Sequence, residues 1–175
     1  MTDSVFERFL HPATMIEAEI QLIKGGADSL PALESLLKGE AKNRFGIPYM
    51  QLGLPLRCAL EVARRLGPIA KPLEPYLREQ LRRGDATAAM ALGSLGTLEQ
   101  ESIAQLTISL EGRPDLAMES AMALLLCGEG NHPTVLEMVA GSKVAAMMLE
   151  RTRAYHDRVR QNASPGHFQG TGSPE

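Results

Sequence analysis

The residues that most often carry chemistry are few in this sequence and lie far apart in it. Histidine and cysteine occur at His11, His132, His156, His167, Cys58 and Cys127. No pair of them stands at metal-ligand spacing, and the glycine-rich loops that bind phosphates or dinucleotides are absent. Ser94 is not part of a nucleophile elbow, because that motif requires Gly two residues earlier and position 92 is Leu. We therefore predict no enzyme activity, no metal and no cofactor.

These scattered residues have simpler structural interpretations. His11 and His132 each precede a proline, which predicts a place in a turn. Cys58 and Cys127 fall at apolar positions of helices, where a free cysteine acts as a small apolar side chain. Two cysteines cannot form a disulfide framework, and this usage is typical of a reducing compartment.

The composition is that of one ordinary globular domain. Of the 175 residues, 44% are hydrophobic, 22% charged and 4% aromatic, with a net charge of −3 and no Trp. This balance excludes a protein that is basic over its whole surface. The sequence has no signal peptide and no apolar run long enough to span a membrane. We expect a cytoplasmic protein without membrane contact.

Helix start and stop signals recur along the sequence, and the alternating pattern of strands is almost absent. The prediction is one all-α domain over residues 1–161, followed by a disordered tail over residues 162–175. The predicted helices are a short one ending at residue 10, then 13–24, 30–38, 55–66, 73–83, 86–95, 98–111, 116–127, 134–140 and 143–161. Ser29 is expected to cap one helix, and Thr97 with Gln100 to form a capping box before another.

An internal repeat organises these helices. The segments CALEVARRLG (58–67), TAAMALGSLG (87–96) and ESAMALLLCG (119–128) share apolar columns, and each ends in Gly. A terminal Gly permits the left-handed conformation of a tight turn. Helices of a second type lie between them, at residues 30–39, 73–84 and 103–112. The chain is therefore predicted to alternate two helix types, each pair stabilised by its neighbours.

The stretch LEPYLREQLRRGDATAAMALGSLG at residues 73–96 resembles a HEAT-type repeat of the short bacterial, phycobilin-lyase-like kind. The resemblance is clear over residues 73–128 and weaker over 29–67 and 131–160. It implies a right-handed α-solenoid of antiparallel helix pairs, whose second helices line a concave surface. The sequence departs from the family in lacking the usual buried Arg or Lys late in the second helix. It also carries a long interruption at residues 40–53.

That interruption, EAKNRFGIPYMQLG, is longer than most connections between helices. Long loops on a rigid scaffold often carry binding contacts, so Arg44, Phe45, Tyr49 and Met50 are predicted to bind a partner. The alternative is that these large side chains fold back onto the helices.

Charge is distributed in bands along the sequence. Residues 41–84 contain nine Lys or Arg against three Asp or Glu, whereas residues 85–142 contain one against eight. In a repeat array, such bands become neighbouring strips that can steer a charged partner. The alternatives are solvated faces with local pairs, such as Glu61 with Arg65, or a band that meets its complement in a second copy of the chain.

One face of the second helices completes the predicted partner-binding set. It carries Arg57, Glu61, Arg64 and Arg65 on the second helix that begins at Pro55, and Met90, Met118 and Met122 on the later second helices. Methionine is flexible and polarizable, which suits a surface that adapts to a partner. The alternative is that the methionines fill gaps in the core.

The combined prediction is a non-enzymatic adaptor that binds another protein, with an immunity protein that neutralises a cognate bacterial toxin as the narrower hypothesis. The sequence leaves open whether the chain also forms a homo-oligomer. Two other classes were weighed: a nucleic-acid-binding protein resembling the HEAT-like alkylpurine DNA glycosylases, and a subunit of a repeat-type lyase. The basic band has acidic flanks, so no specific nucleic-acid binding is predicted. The lyase class lacks an identifiable acid, base or nucleophile grouping in this sequence.

Overall fold

The computed structural model describes residues 5–163, and the regular structure in this range is helical. The α-helices are α1 (Pro12–Gly25), α2 (Leu30–Lys38), α3 (Gly53–Leu66), α4 (Glu74–Arg82), α5 (Ala86–Gly93), α6 (Gln100–Ser109), α7 (Pro114–Leu126), α8 (Pro133–Gly141) and α9 (Lys143–Ala163). Short 3-10 helices occupy Glu7–Leu10, Gly26–Ser29, Tyr49–Gln51, Gly67–Leu73 and Glu129–Asn131. Within residues 5–163 no strand forms, and Lys42 and Pro48 make an isolated antiparallel bridge. The all-α prediction is confirmed.

The predicted helix boundaries agree with the observed ones to within a few residues, because most helix ends depend on local chemistry. Asp85 caps α5 by accepting hydrogen bonds from the backbone N–H of Thr87 at 2.8 Å and of Ala88 at 3.3 Å. Gly39 ends α2 with φ of 78°, the left-handed conformation that glycine adopts without a steric penalty. Helix α9 extends to Ala163, beyond its predicted end at residue 161. The rest of the predicted tail, residues 164–175, lies outside the described residues.

Two predicted caps are wrong, because the residues concerned make other hydrogen bonds. Ser29 has helical backbone angles, and its hydroxyl donates to the carbonyl of Leu22 at 2.8 Å. The predicted capping box does not form before α6. The N-cap residue there is Glu99, whose backbone N–H donates to the buried carboxylate of Glu74 at 2.7 Å. A negative charge supplied by α4 therefore stabilises the start of α6.

The helices pack in two layers. In one layer α1, α3, α5, α7 and α9 pack in succession, and in the other α2, α4, α6 and α8 do so. Each even-numbered helix also packs on the odd-numbered helix that follows it. The core is rich in leucine and alanine, and its largest fully buried aliphatic side chains are Leu33, Leu36, Leu60, Leu73, Leu77, Leu81, Leu92, Leu106, Leu110 and Leu124.

Helices α5 and α7 share the most extensive contact between two helices in the described range. They run parallel: before their first turns, the guanidinium of Arg113 donates to the carbonyl of Gly84 at 2.8 Å. At their ends, the thiol of Cys127 lies 3.4 Å from the carbonyl of Gly93. Small buried residues, mostly alanine, fill the space between the helices and allow this close approach.

Candidate functional site

A groove of about 860 Å³ is formed by residues of α5, α7 and α9, and methionine side chains line much of it. Met90 comes from α5, Met118 and Met122 from α7, and Met148 from α9. Tyr155 of α9 adds an aromatic ring. A volume of this size falls in the range of roughly 300–1,000 Å³ that is usual for ligand-binding clefts.

The spacing of the lining residues follows from the helical repeat. Met118 and Met122 are one turn apart on α7, and Met148 and Tyr155 are two turns apart on α9, so each pair lies on one face of its helix. Met118 is 50% exposed and Tyr155 is 56% exposed, so both offer apolar area to solvent. The structure thus brings together the three predicted methionines, Met90, Met118 and Met122, on one concave surface.

Acidic residues line this groove on its α7 wall, and basic residues line it on its α9 wall. Asp115 and Glu119 lie one turn apart on α7, and Arg151 and Arg158 lie two turns apart on α9. The ion pairs among the described residues include none that crosses between these walls. Asp115 pairs with Arg113 on its own side, at 3.5 Å. Among the described residues, the carboxylates of α7 and the guanidinium groups of α9 that line the groove are therefore not paired with each other.

Glu119 and Arg151 have no hydrogen bond or ion pair with a described residue. Partial burial raises the pKa of the Glu119 carboxyl above its usual value, and the negative charge of Asp115 raises it further. Arg151 is exposed on the α9 wall. The groove thus holds an uncompensated acid and an uncompensated base next to a largely apolar floor.

The charged residues predicted on α3 form a separate surface. Arg64 donates two hydrogen bonds to the carboxylate of Glu61, both at 2.8 Å, and Arg65 donates a third at 2.8 Å. These contacts, that of Arg64 foremost, lower the pKa of Glu61 to about 2. Arg57 is exposed on the same helix. None of these α3 residues is among the residues that line the methionine groove.

Much of the predicted basic band is neutralised locally. The ion pair between Glu61 and Arg65 is present. Such local pairs were the alternative to partner binding by this band. Further cations of the band pair as Arg82 and Arg83 with Glu79, Arg78 with Glu99, and Lys71 with Glu74. Two arginines share one carboxylate at both Glu61 and Glu79, so some positive charge is left over on these faces.

The loop at residues 40–53 divides into an inward half and an outward half. Tyr49 is 2% exposed, its hydroxyl donates to Glu7 at 2.6 Å, and its ring centroid lies 5.6 Å from that of Phe6. Met50 is half-buried, and its sulfur accepts a hydrogen bond from Gln80 at 3.5 Å. Both side chains fold back onto the helices, which is the alternative that the sequence left open. Tyr49 is therefore not accessible to a partner in this structure, and partner binding by Met50 stays a prediction.

The outward half of the loop keeps its predicted exposure. Phe45 is 72% exposed, and the guanidinium of Arg44 stacks over its ring at 4.8 Å from the centroid. The side chain of Asn43 orders this turn by accepting hydrogen bonds from the backbone N–H of Phe45 at 2.9 Å and of Ile47 at 3.0 Å. Partner binding by Arg44 and Phe45, at the ordered tip of this loop, thus stays a prediction.

The α9 wall of the groove was not predicted from the sequence. Met148, Arg151, Tyr155 and Arg158 lie on one helical face, but α9 is outside the clear part of the repeat. The available signal was their spacing of three, four and three residues, which puts apolar and basic side chains on one stripe. Glu119 was also not predicted, because it aligns with Cys58 and lies outside the face of the second helices that was predicted to bind a partner.

Other candidate chemistry is sparse in the described part of the chain. Burial raises the pKa of the Cys58 thiol to about 12 and that of Cys127 to about 11, so both thiols are protonated at neutral pH. In residues 5–163, no group of three or more His, Cys, Asp or Glu side chains is arranged to hold a metal ion. No helix in that range has both the length and the apolar character needed to cross a bilayer.

Comparison with protein-family models, with curated proteins and with solved structures gives no match to this chain. The resemblance to HEAT-type repeats therefore stays a prediction.

Proposed function

We propose that this chain is a non-enzymatic adaptor that holds a helical segment of a partner protein in the groove between α5, α7 and α9. The observation that carries the proposal is the convergence of Met90, Met118, Met122 and Met148 with Tyr155 on one concave surface. An amphipathic helix binds such a groove through apolar side chains at positions i, i+3, i+4 and i+7. Methionine suits this contact because its unbranched side chain adapts to the shape of the partner.

The same proposal includes the architecture that the repeat implies. Successive packing of α3, α5, α7 and α9, and of α2, α4, α6 and α8, supports a HEAT-like α-solenoid. Its right-handed sense, the concave placement of the second helices and a cytoplasmic location are part of the proposal. In such a stack, a groove along the second helices is where a partner segment is usually held.

A protein toxin is the partner class that we favour, which makes this chain an immunity protein. A small acidic chain with an apolar groove is suited to blocking a toxin by covering one of its helices. The test is co-expression: the wild-type chain protects cells that produce the toxin encoded beside it, and Met118→Gln weakens the protection. Full protection by Met118→Gln would contradict the groove as the binding surface.

A matched pair of positions tests the groove itself. Met118 lines the groove and is 50% exposed, whereas Met147 of α9 does not line it and is 51% exposed. A photo-reactive amino acid is placed at each position, and the protein is illuminated in an extract of its source cells. We expect one discrete cross-linked protein from position 118 and little from position 147. Equal labelling at both positions would mean non-specific contact and would overturn the proposal.

A nucleic-acid-binding role is tested on the α3 cluster. Because Glu61 already holds Arg64 and Arg65, few cations are free to neutralise phosphates there. We expect no sub-micromolar binding to duplex DNA at physiological salt. Tight binding that is lost on changing Arg64 and Arg65 to Glu would favour the nucleic-acid-binding class instead.

A further inference from the structure

The charges on the groove walls specify what kind of helix can occupy it. Asp115 and Glu119 lie on the α7 wall, and Arg151 and Arg158 on the α9 wall, with the methionines in the same groove. A helix that lies in a groove turns its apolar stripe to the floor and places one flanking edge against each wall. The charged residues of the two walls therefore determine which charges are favourable on the two edges of that helix.

We infer that the occupant is an amphipathic helix of a partner protein with basic residues along one edge of its apolar stripe and acidic residues along the other. This inference rests on the proposed function and adds the charge pattern of the partner. The basic edge faces Asp115 and Glu119, and the acidic edge faces Arg151 and Arg158.

Two observations favour this occupant over a uniformly charged helix. The first is that acidic residues line the groove on α7 and basic residues line it on α9, so a helix with one sign on both edges gains at one wall and is repelled at the other. The second is that Glu119 and Arg151 have no partner among the described residues, so both are free to pair with an occupant. Partial burial, and then the negative charge of Asp115, raise the pKa of Glu119, and no cation offsets these two effects.

The existing contacts of the four charged residues show which of them matter most for binding an occupant. Asp115 already pairs with Arg113, and Arg158 donates one hydrogen bond to the carbonyl of Ala154. Glu119 and Arg151 are therefore the two residues whose charges an occupant would neutralise most by pairing with them.

Three model peptides of about 18 residues, long enough to form a helix, test the inference. All carry the same leucine stripe; one has Lys along one edge and Glu along the other, one has Lys on both edges, and one has Glu on both. Binding is measured by fluorescence anisotropy at low salt and at physiological salt. We expect the mixed peptide to bind about tenfold more tightly than either single-sign peptide, with the difference shrinking as salt rises.

Variants of the protein locate the effect. The double change Glu119→Gln with Arg151→Gln should remove the preference for the mixed peptide. The double change Glu150→Gln with Lys143→Gln should keep it, because both residues are exposed on α9 and do not line the groove. Loss of the preference in both double variants would overturn the inference, since general charge would then be the cause.

The outcomes separate this inference from the proposed function. Equal binding of the three peptides, weakened by Met118→Gln, would leave the groove as a helix-binding site and overturn the charge pattern. Tightest binding by the Lys-only peptide would mean simple attraction to an acidic chain, and would also overturn it. No measurable binding of any peptide would contradict helix capture itself, and the inference with it.

Discussion

Gly93 in α5 lies directly against Ala123 in α7: a Cβ atom added at Gly93 would stand 2.8 Å from the Cα of Ala123 and 3.1 Å from its Cβ. Carbon atoms in van der Waals contact are about 3.5–4.0 Å apart, so only glycine fits at this point of the helix contact. The same contact brings α5 and α7 close enough for Met90 and Met118 to line one groove. Packing in the core and the shape of the groove are thus linked through this pair.

Replacing this glycine should destabilise the fold. Gly93→Ala improves helix propensity but forces α5 and α7 apart, and we expect a net loss of about 1–2 kcal/mol in the free energy of unfolding. The control is Gly141→Ala, since nothing lies within 4 Å of a Cβ added there. Urea denaturation should show a lower midpoint for Gly93→Ala and an unchanged or higher one for Gly141→Ala. Equal midpoints would mean that the two helices separate at little cost.

Tyr49 and Phe45 should respond in opposite ways to truncation, although one loop carries both. Tyr49→Ala removes a buried ring and the hydrogen bond to Glu7, which should cost about 3 kcal/mol or more of stability. Phe45→Ala removes an exposed ring stacked only by Arg44, and should cost under about 1 kcal/mol. Thermal denaturation followed by circular dichroism measures both. A large loss for Phe45→Ala would show that the loop tip is packed rather than free.

The Glu61 cluster should stabilise the protein in a way that depends on pH. Because the pKa of Glu61 falls from 4.5 to about 2 on folding, its contribution is complete above pH 4.5 and is lost as the pH falls from 4.5 towards 2. Glu61→Gln should therefore cost under about 1 kcal/mol at pH 7, since the arginines are solvent-exposed, and almost nothing near pH 2. Glu101→Gln, an exposed control, should show no such trend. A difference between wild type and Glu61→Gln that persists at pH 2 would contradict an electrostatic role.

The contribution of Glu119 to stability should depend on pH in the opposite direction. Its pKa is raised on folding, so the folded state holds its proton more tightly and loses stability as the pH rises through the folded pKa. Glu119→Gln removes this penalty and should raise the stability at pH 7 slightly, by less than about 0.5 kcal/mol, with no gain below pH 4.5. Melting temperatures at pH 7 and pH 4 give the comparison. A lower melting temperature at pH 7 would mean that Glu119 has a stabilising partner in the free protein.

The helical content and most helix ends could be predicted from the sequence, because they depend on residues near each other in the chain. Asp85 caps its own helix within three residues, and Gly39 ends its helix through its own backbone angles. The alternation of two helix types was also visible, because each repeats its apolar columns. The three methionines of the groove could be grouped for the same reason, since they occupy one face of the second helices.

The tertiary structure alone decided the contacts that join distant segments. The carboxylate of Glu74, rather than a local capping box, satisfies the start of α6, because packing of α4 against α6 brings it there. Tyr49 is buried although its loop is polar, because its ring packs against that of Phe6, which is far away in the sequence. The α9 wall of the groove exists only because α9 packs on α7, which brings Arg151 and Glu119 to the same groove. Such placements depend on the summed packing of many helices, and no local pattern of residues encodes them.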